Sequence, residues 1–258
     1  MQATFNNIQH FKGNTAAPLA VAKRLRLMAK YLDPKKPLFL DCGCGIGGYV
    51  QALVEELKMD AHGIEYDART VAQTQLNPSL KNRVTQGDLQ AIASEANRWD
   101  YAMLNEVLEH VGDERKVLRE VHRVLKPGGI LFVFSPNRWF PFETHCVNLK
   151  NSRRQIPHWI PLIPYIPVRL GEKFLFYWGR NYWQKELADL AAASGFAIVE
   201  RDYVWQTFEN ISGSQPRWMT AIKPVLKFTG ESLEKMPFLR RFGVSQVLVC
   251  RKAAQAYD

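Results

Sequence analysis

Residues 40–50 read LDCGCGIGGYV, which spaces Asp41, Gly43, Gly45 and Gly47 as D-x-G-x-G-x-G. An apolar run precedes this loop and an amphipathic run follows it. Glycines at this spacing permit tight turning, and they let a ligand approach the backbone at a helix N-terminus. Two carboxylates downstream extend the chemistry. Glu65 follows Gly45 by 20 residues, at the end of the run AHGIEYD. A carboxylate there can accept both hydroxyls of a ribose. Asp88, in QGDL, ends a third short run, where a carboxylate can accept the amino group of an adenine. Gly43, Gly45 and Gly48 also satisfy G-x-G-x-x-G, so a nicotinamide-dependent oxidoreductase is a rival reading. Asp41 before the loop and Asp88 after it disfavour that rival.

A second reactive group lies after residue 136, in SPNRWFPFETHCVN, where Arg138, Glu143 and His145 stand among aromatics. His145 is the candidate general base, because histidine titrates near neutrality. Glu143 is the candidate orienting residue or alternative base. Thr144 and His145 also suit a purely structural turn. Glu109 and His110, in NEVLEHV, equally suit an ordinary helix start. The four cysteines, Cys42, Cys44, Cys146 and Cys250, form no C-x-x-C pair, so neither a zinc site nor a disulfide framework is expected.

The elements that must position these groups alternate. PLFLDCG, AHGIEYD, RVTQGDL, DYAMLNEV and ILFVFSPN read as strands. IGGYVQALVEELK, DARTVAQTQL, QAIASEANRW and DERKVLREVHRVLK read as the helices between them, and TAAPLAVAKRLRLMAKYL as a leading helix. ILFVFSPN is nearly all apolar, as expected of a strand covered on both faces. WQKELADLAAASGF, AIVERDYV and SQVLVCRK add a helix and two closing strands. This order predicts an α/β fold: a Rossmann-like, doubly wound, mostly parallel seven-stranded sheet with an antiparallel last strand. Two insertions interrupt its C-terminal half, at 137–180 and 209–242. The whole of 1–258 reads as one domain, with the ligand-binding core at 37–136.

Composition narrows the class. Hydrophobic residues make up 47% and charged residues 23%, ordinary for a folded globular chain. No apolar run is long enough to span a membrane, and the polar N-terminus lacks a secretory signal, so a cytoplasmic location is expected. Of the net charge of +9, residues 1–136 carry +2 (17 Lys/Arg, 15 Asp/Glu) and residues 137–258 carry +7 (17 and 10). A basic C-terminal half suits an acidic partner or an anionic membrane surface.

Taken together, D-x-G-x-G-x-G, the acidic strand end at Glu65, G-D at Gly87-Asp88, NEVLEHV and LKPGG resemble the class I S-adenosylmethionine-dependent methyltransferases in order and spacing. The motif order is similar to that of the quinone-biosynthesis O-methyltransferases. The resemblance implies that Asp41, Gly43 and Gly45 shape the methionine end of S-adenosylmethionine. It implies that Glu65 holds the ribose, Tyr66 flanks the adenine, Asp88 and Leu89 hold it, and Asn105 lines the pocket. It implies a small-molecule or lipid-linked acceptor, with O-methylation expected and N- or C-methylation, or a non-catalytic cofactor-binding protein, as alternatives. NEVL replaces the D/N-P-P-Y of amino-methylating nucleic-acid enzymes, and no cysteine follows a proline, so nucleic acid is disfavoured as the acceptor.

RRQIPHWIPLIPYIPVRL, residues 153–170, repeats Ile-Pro four times between basic flanks at Arg153, Arg154 and Arg169. Prolines at this density exclude a regular helix or central strand. A lid, a contact with anionic lipid and a packed cover of the sheet edge all remain open for it. The resemblance implies a membrane-touching insertion here. The basic residues of 209–242 suit the same face or a helical dimer contact, and the oligomeric state is left open.

Overall fold

The computed structural model describes residues 18–152, 154–207 and 217–253. Arg153, and the expected elements within 1–17 and 209–216, lie outside the described residues. Seven strands form one sheet: β1 (Leu38–Cys42), β2 (Asp60–Glu65), β3 (Val84–Gln86), β4 (Trp99–Asn105), β5 (Leu125–Pro136), β8 (Phe196–Val204) and β9 (Ser245–Lys252). Their order is β3-β2-β1-β4-β5-β9-β8. Only β9 is antiparallel to its neighbours, β5 and β8. This is the expected Rossmann-like sheet.

The helices are α1 (Pro18–Ala29), α2 (Gly48–Glu55), α3 (Ala68–Thr74), α4 (Glu114–Val124), α5 (Val168–Gly171), α6 (Gln184–Ala193), α7 (Arg217–Glu234) and α8 (Pro237–Arg240). Alternation along each strand builds two cores. Phe39, Tyr101, Met103, Phe132 and Phe134 face α1 and α2, packing on Leu25, Met28, Val50 and Leu53. Leu40, Ala102, Leu104, Leu131 and Val133 face the other way, onto Val117, Leu118, Val121 and Leu187 of α4 and α6. Each such side chain contributes roughly 1.5–3 kcal/mol when fully buried, so the sheet's position between two apolar faces is strongly specified.

Two sequence expectations differ from the structure. QAIASEANRW is not helical: residues 90–98 are irregular, with turns and bends. Arg123 of α4 takes the carbonyls that a helix would need, donating to Ile92 O and Ser94 O at 2.8 Å each. Glu120 accepts from Ile92 N at 2.9 Å, so an ion-paired couple on α4 replaces the helical ladder. The second difference is that β5 begins at Leu125, directly after α4, and includes the PGG segment. Leu125 pairs with Trp99 ahead of a register shift.

Residues 137–180 fold into a two-stranded ribbon, β6 (Val147–Leu149) with β7 (Leu175–Tyr177), plus short turns and α5. The Ile-Pro segment is irregular, as its prolines require. Arg138 clamps it from beneath, donating from Nε to Pro164 O at 2.8 Å and from Nη2 to Ile166 O at 2.7 Å. Leu162 N donates to Pro141 O, and Tyr165 Oη to Trp139 O, at 2.6 Å each. In the second insertion, α7 is the helix expected in part, and it contains Pro224.

Candidate functional site

Parallel register aligns the C-terminal ends of β1, β2, β3 and β4. Cys42 pairs with Ile64 and Leu104, and Glu65 pairs with Gln86. Asp41, Glu65, Asp88 and Asn105 therefore come from four adjacent strand ends. The strand order reverses direction between β1 and β4, and the crevice at such a switch point is where open α/β sheets bind ligands.

The glycine loop folds over β2. Gly43 N and Cys44 N both donate to Ile64 O, at 2.8 and 3.0 Å. Gly43 has φ 80°, and a Cβ there would lie 2.6 Å from a Val107 methyl, so backbone and space both demand glycine. Gly45 has φ 52°, and nothing stands within 4 Å of where its Cβ would be, leaving its outer side open. Gly47 caps α2 in the left-handed conformation.

The carboxylates divide into braced and unpartnered. Glu65 Oε2 accepts from Gly45 N at 2.9 Å, and Oε1 from Asp67 N at 3.0 Å. These two bonds tie the strand end to the glycine loop. Asp88 is exposed and accepts from Gln90 N at 2.8 Å. Tyr66 is 75% exposed, and Leu89 is buried. Asp41 is buried with neither carboxylate oxygen partnered, and Asn105 Oδ1 is also without a partner. Burial, with Glu65 nearby, pushes Asp41 up to about 8.

A second cluster sits beyond β4. Glu106, at φ 55°, accepts from Arg24 Nη2 at 2.7 Å and from Ser245 Oγ at 2.6 Å. Helix α1 and the start of β9 are thereby tied to the β4 end. Glu109 is buried, with both oxygens unpartnered. Burial, then the neighbouring Glu106 charge, pushes it up to about 9. His145 Nε2 lies 3.7 Å from Glu109 Oε1. Burial lowers His145 from its ordinary value. The His110 ring meets His145 edge-on at 4.8 Å. Ligand atoms of Glu109, His110 and His145 all lie within 4.8 Å of one another, close enough for one cation to join them.

Glu143 turns back onto its own loop and onto Asn181. Both oxygens accept from Asn181 Nδ2, at 3.0 and 2.9 Å, and Oε1 also accepts from Thr144 N and His145 N. It fixes the backbone that carries His145. A cavity of about 220 Å³ adjoins this cluster, walled by Glu109, Arg138, Tyr177, Arg180 and Asn181. Tyr177 Oη is buried without a partner. Sequence reasoning gave Arg24, Ser245 and Tyr177 no role, and it left Glu109 as a helix-start residue. The spacing from Glu106 to Glu109 was the one signal available.

A family model described as a methyltransferase domain matches residues 14–201. The chain belongs to the methyltransferase-domain family. The methyl donor of this family is S-adenosylmethionine. The chain is 23% identical over 206 residues to phosphoethanolamine N-methyltransferase 2 of Caenorhabditis elegans, covering 78% of this chain and 42% of that protein. It is 29% identical over 123 residues to a ubiquinone biosynthesis O-methyltransferase of Coxiella burnetii, covering 45% of this chain and 51% of that one. The chain thus spans about half or less of the length of these curated relatives. A solved S-adenosylmethionine-dependent methyltransferase from Mesorhizobium loti shares the fold, with a TM-score of 0.56 and 15% identity, covering 93% of this chain and 99% of that one.

Proposed function

We propose that this methyltransferase domain methylates a hydroxyl on a small-molecule or lipid-linked acceptor, with His145 as general base. One observation carries the reading. Glu109, buried and unpartnered, faces His145 Nε2 beside a cavity large enough for a small ring or headgroup.

The cofactor half rests on chemistry that matches the ligand. S-adenosylmethionine supplies, when bound, a methyl group on a cationic sulfur that is open to in-line attack. Glu65, braced at a strand end, holds the ribose, with Tyr66 flanking the adenine. Asp88 and Leu89 hold the adenine itself. Asp41, Gly43, Gly45 and Asn105 shape the methionine end, where unpartnered oxygens suit an ammonium and the open side of Gly45 admits the backbone of the ligand.

At the acceptor, Thr144 Oγ1 lies 3.3 Å from His145 Nδ1, leaving Nε2 to take the hydroxyl proton. His145 is neutral at physiological pH because burial lowers its affinity for protons. Burial and the Glu106 charge favour the protonated form of Glu109, which works against trapping the imidazole as a cation beforehand. Once Nε2 carries the proton, the Glu109 carboxyl oxygen 3.7 Å away turns its dipole to the imidazolium and stabilises it. Glu143 positions the loop. An amine acceptor is the second reading, favoured by the unpartnered Glu109 carboxyl that walls the cavity and can accept from an N–H group.

Around the cavity, the 137–180 segment exposes Trp159, Phe174, Phe176 and Trp178, each more than half exposed, and Trp178 also lines the cavity. Arg154 and Arg169 of the same segment are also exposed. Amphipathic aromatics with cations suit a headgroup layer, so this surface meets an anionic membrane and passes the acceptor inward. No helix among the described residues is long and apolar enough to cross a membrane.

Two measurements test this reading. Methyl-labelled cofactor incubated with the protein and a whole cell extract should leave label in the organic phase; label confined to water would refute a lipid-linked acceptor. The protein should sediment with phosphatidylglycerol vesicles, and Trp159→Ser with Arg154→Gln should reduce the bound fraction about tenfold, an estimate of 1–2 kcal/mol from one interfacial aromatic and one cation. Equal sedimentation of the variant would remove the membrane from the proposal.

A further inference from the structure

A larger cavity, about 730 Å³, lies among α1, the end of β8, α7 and α8, and the methyl-transfer reading makes no use of it. Six cations line it: Lys23, Arg26, Arg201, Lys227, Lys235 and Arg240. Three acids face them: Asp202, Glu231 and Glu234. Six minus three leaves an excess of three positive charges on a concave wall.

The acids are already engaged. Lys23 pairs with Glu234 at 2.6 Å, Arg240 with Asp202 at 2.7 Å, and Lys227 with Glu231 at 4.0 Å. Arg201 and Lys235 enter none of the ion pairs found among the described residues. The Nε of Arg240 is buried and has no partner, although the other end of the same guanidinium is held by Asp202. Gathering like charges in a cleft opposes folding, and a cleft lined by one sign concentrates counter-ions. Helix α1 separates the two sites: Arg24 turns to Glu106, while Lys23 and Arg26 line the cavity.

We propose that this cavity binds a phosphate-bearing anion. The guanidinium fork of Arg201 can hold phosphoryl oxygens in a pair of hydrogen bonds, Arg240 adds the positive charge of a guanidinium already oriented by Asp202, and Lys235 adds a point charge. The volume exceeds that of a bare phosphate and suits a phosphorylated small molecule or a phospholipid headgroup. The site stands apart from the acceptor chemistry, and its failure would leave the methyl-transfer reading untouched.

Calorimetry with inorganic pyrophosphate on the whole chain tests this. Saturable binding is expected. Arg201→Gln with Lys235→Gln, both exposed positions, should weaken it about tenfold or more, from the loss of charge-assisted hydrogen bonds. Arg119→Gln with Lys185→Gln removes the same charge from residues outside the cavity and should change the affinity less than about twofold, the effect of surface charge alone. Both double variants should bind S-adenosylmethionine as the unaltered chain does, which shows that they are folded. Competition by phosphatidylglycerol vesicles, and not by phosphatidylcholine vesicles, would assign the phosphoryl group to a lipid. Absence of competition alongside pyrophosphate binding would assign it to a free metabolite. No pyrophosphate binding, or equal weakening by the two double variants, would overturn the proposal.

Discussion

His145→Gln is expected to lower methyl transfer by roughly two to four orders of magnitude, the usual contribution of a positioned general base. Glutamine keeps the size of the side chain, and this matters because the ring packs closely on Gly179. Cofactor affinity should not change, since the ring lies beyond β4 and not on the glycine loop. The pH profile separates a catalytic role from a structural one. Burial lowers the His145 pKa, so the acid limb of kcat should fall below the ordinary histidine value of 6.5. In the variant that limb should vanish. A variant that keeps both the rate and the limb would place the base elsewhere, or would point to an amine acceptor that needs none.

Glu65→Ala should weaken S-adenosylmethionine binding by roughly ten- to a hundredfold in calorimetry, from the loss of charge-assisted hydrogen bonds worth about 1.5–3 kcal/mol. Two effects combine. The ribose loses its acceptor, and Gly45 N and Asp67 N lose the carboxylate that braces the loop. Glu65→Gln should weaken binding less than Glu65→Ala, because an amide oxygen still accepts one of the two backbone bonds while the charge is lost. Unchanged affinity in the alanine variant would rule out the ribose role for Glu65.

Much of this organisation is written locally. The D-x-G-x-G-x-G spacing marks a turn that only glycine can make at Gly43, where a Cβ would strike Val107. The apolar run ILFVFSPN reads as a buried strand, and the same alternation divides Phe132 and Phe134 from Leu131 and Val133. Asp67 and Asp113 cap the helices that they precede, accepting from Thr70 N and Lys116 N. The expected helix at QAIASEANRW failed for a non-local reason. Its apolar spacing is helical, but Arg123, 29 residues after Ser94, offers the carbonyls better partners. Propensity is a weak prior when tertiary hydrogen bonds compete.

The acceptor side was less legible because its partners lie far apart in the chain. Arg24, Glu106 and Ser245 meet across separations of 82 and 139 residues, which no local pattern records. Its nearness to His145 in sequence leaves Glu143 either an orienting residue or an alternative base. Folding turns it toward Asn181 and its own backbone, and sets Glu109 opposite the imidazole. Side-chain spacing along a strand or helix follows a fixed period, so the sequence by itself determined the sheet, the glycine loop and the row of strand-end carboxylates. An electrostatic environment depends on which distant groups share a low-dielectric space. Only the tertiary structure could therefore decide that Glu109 is buried without a partner, that Arg138 clamps the Ile-Pro segment, and that six cations converge on one cavity.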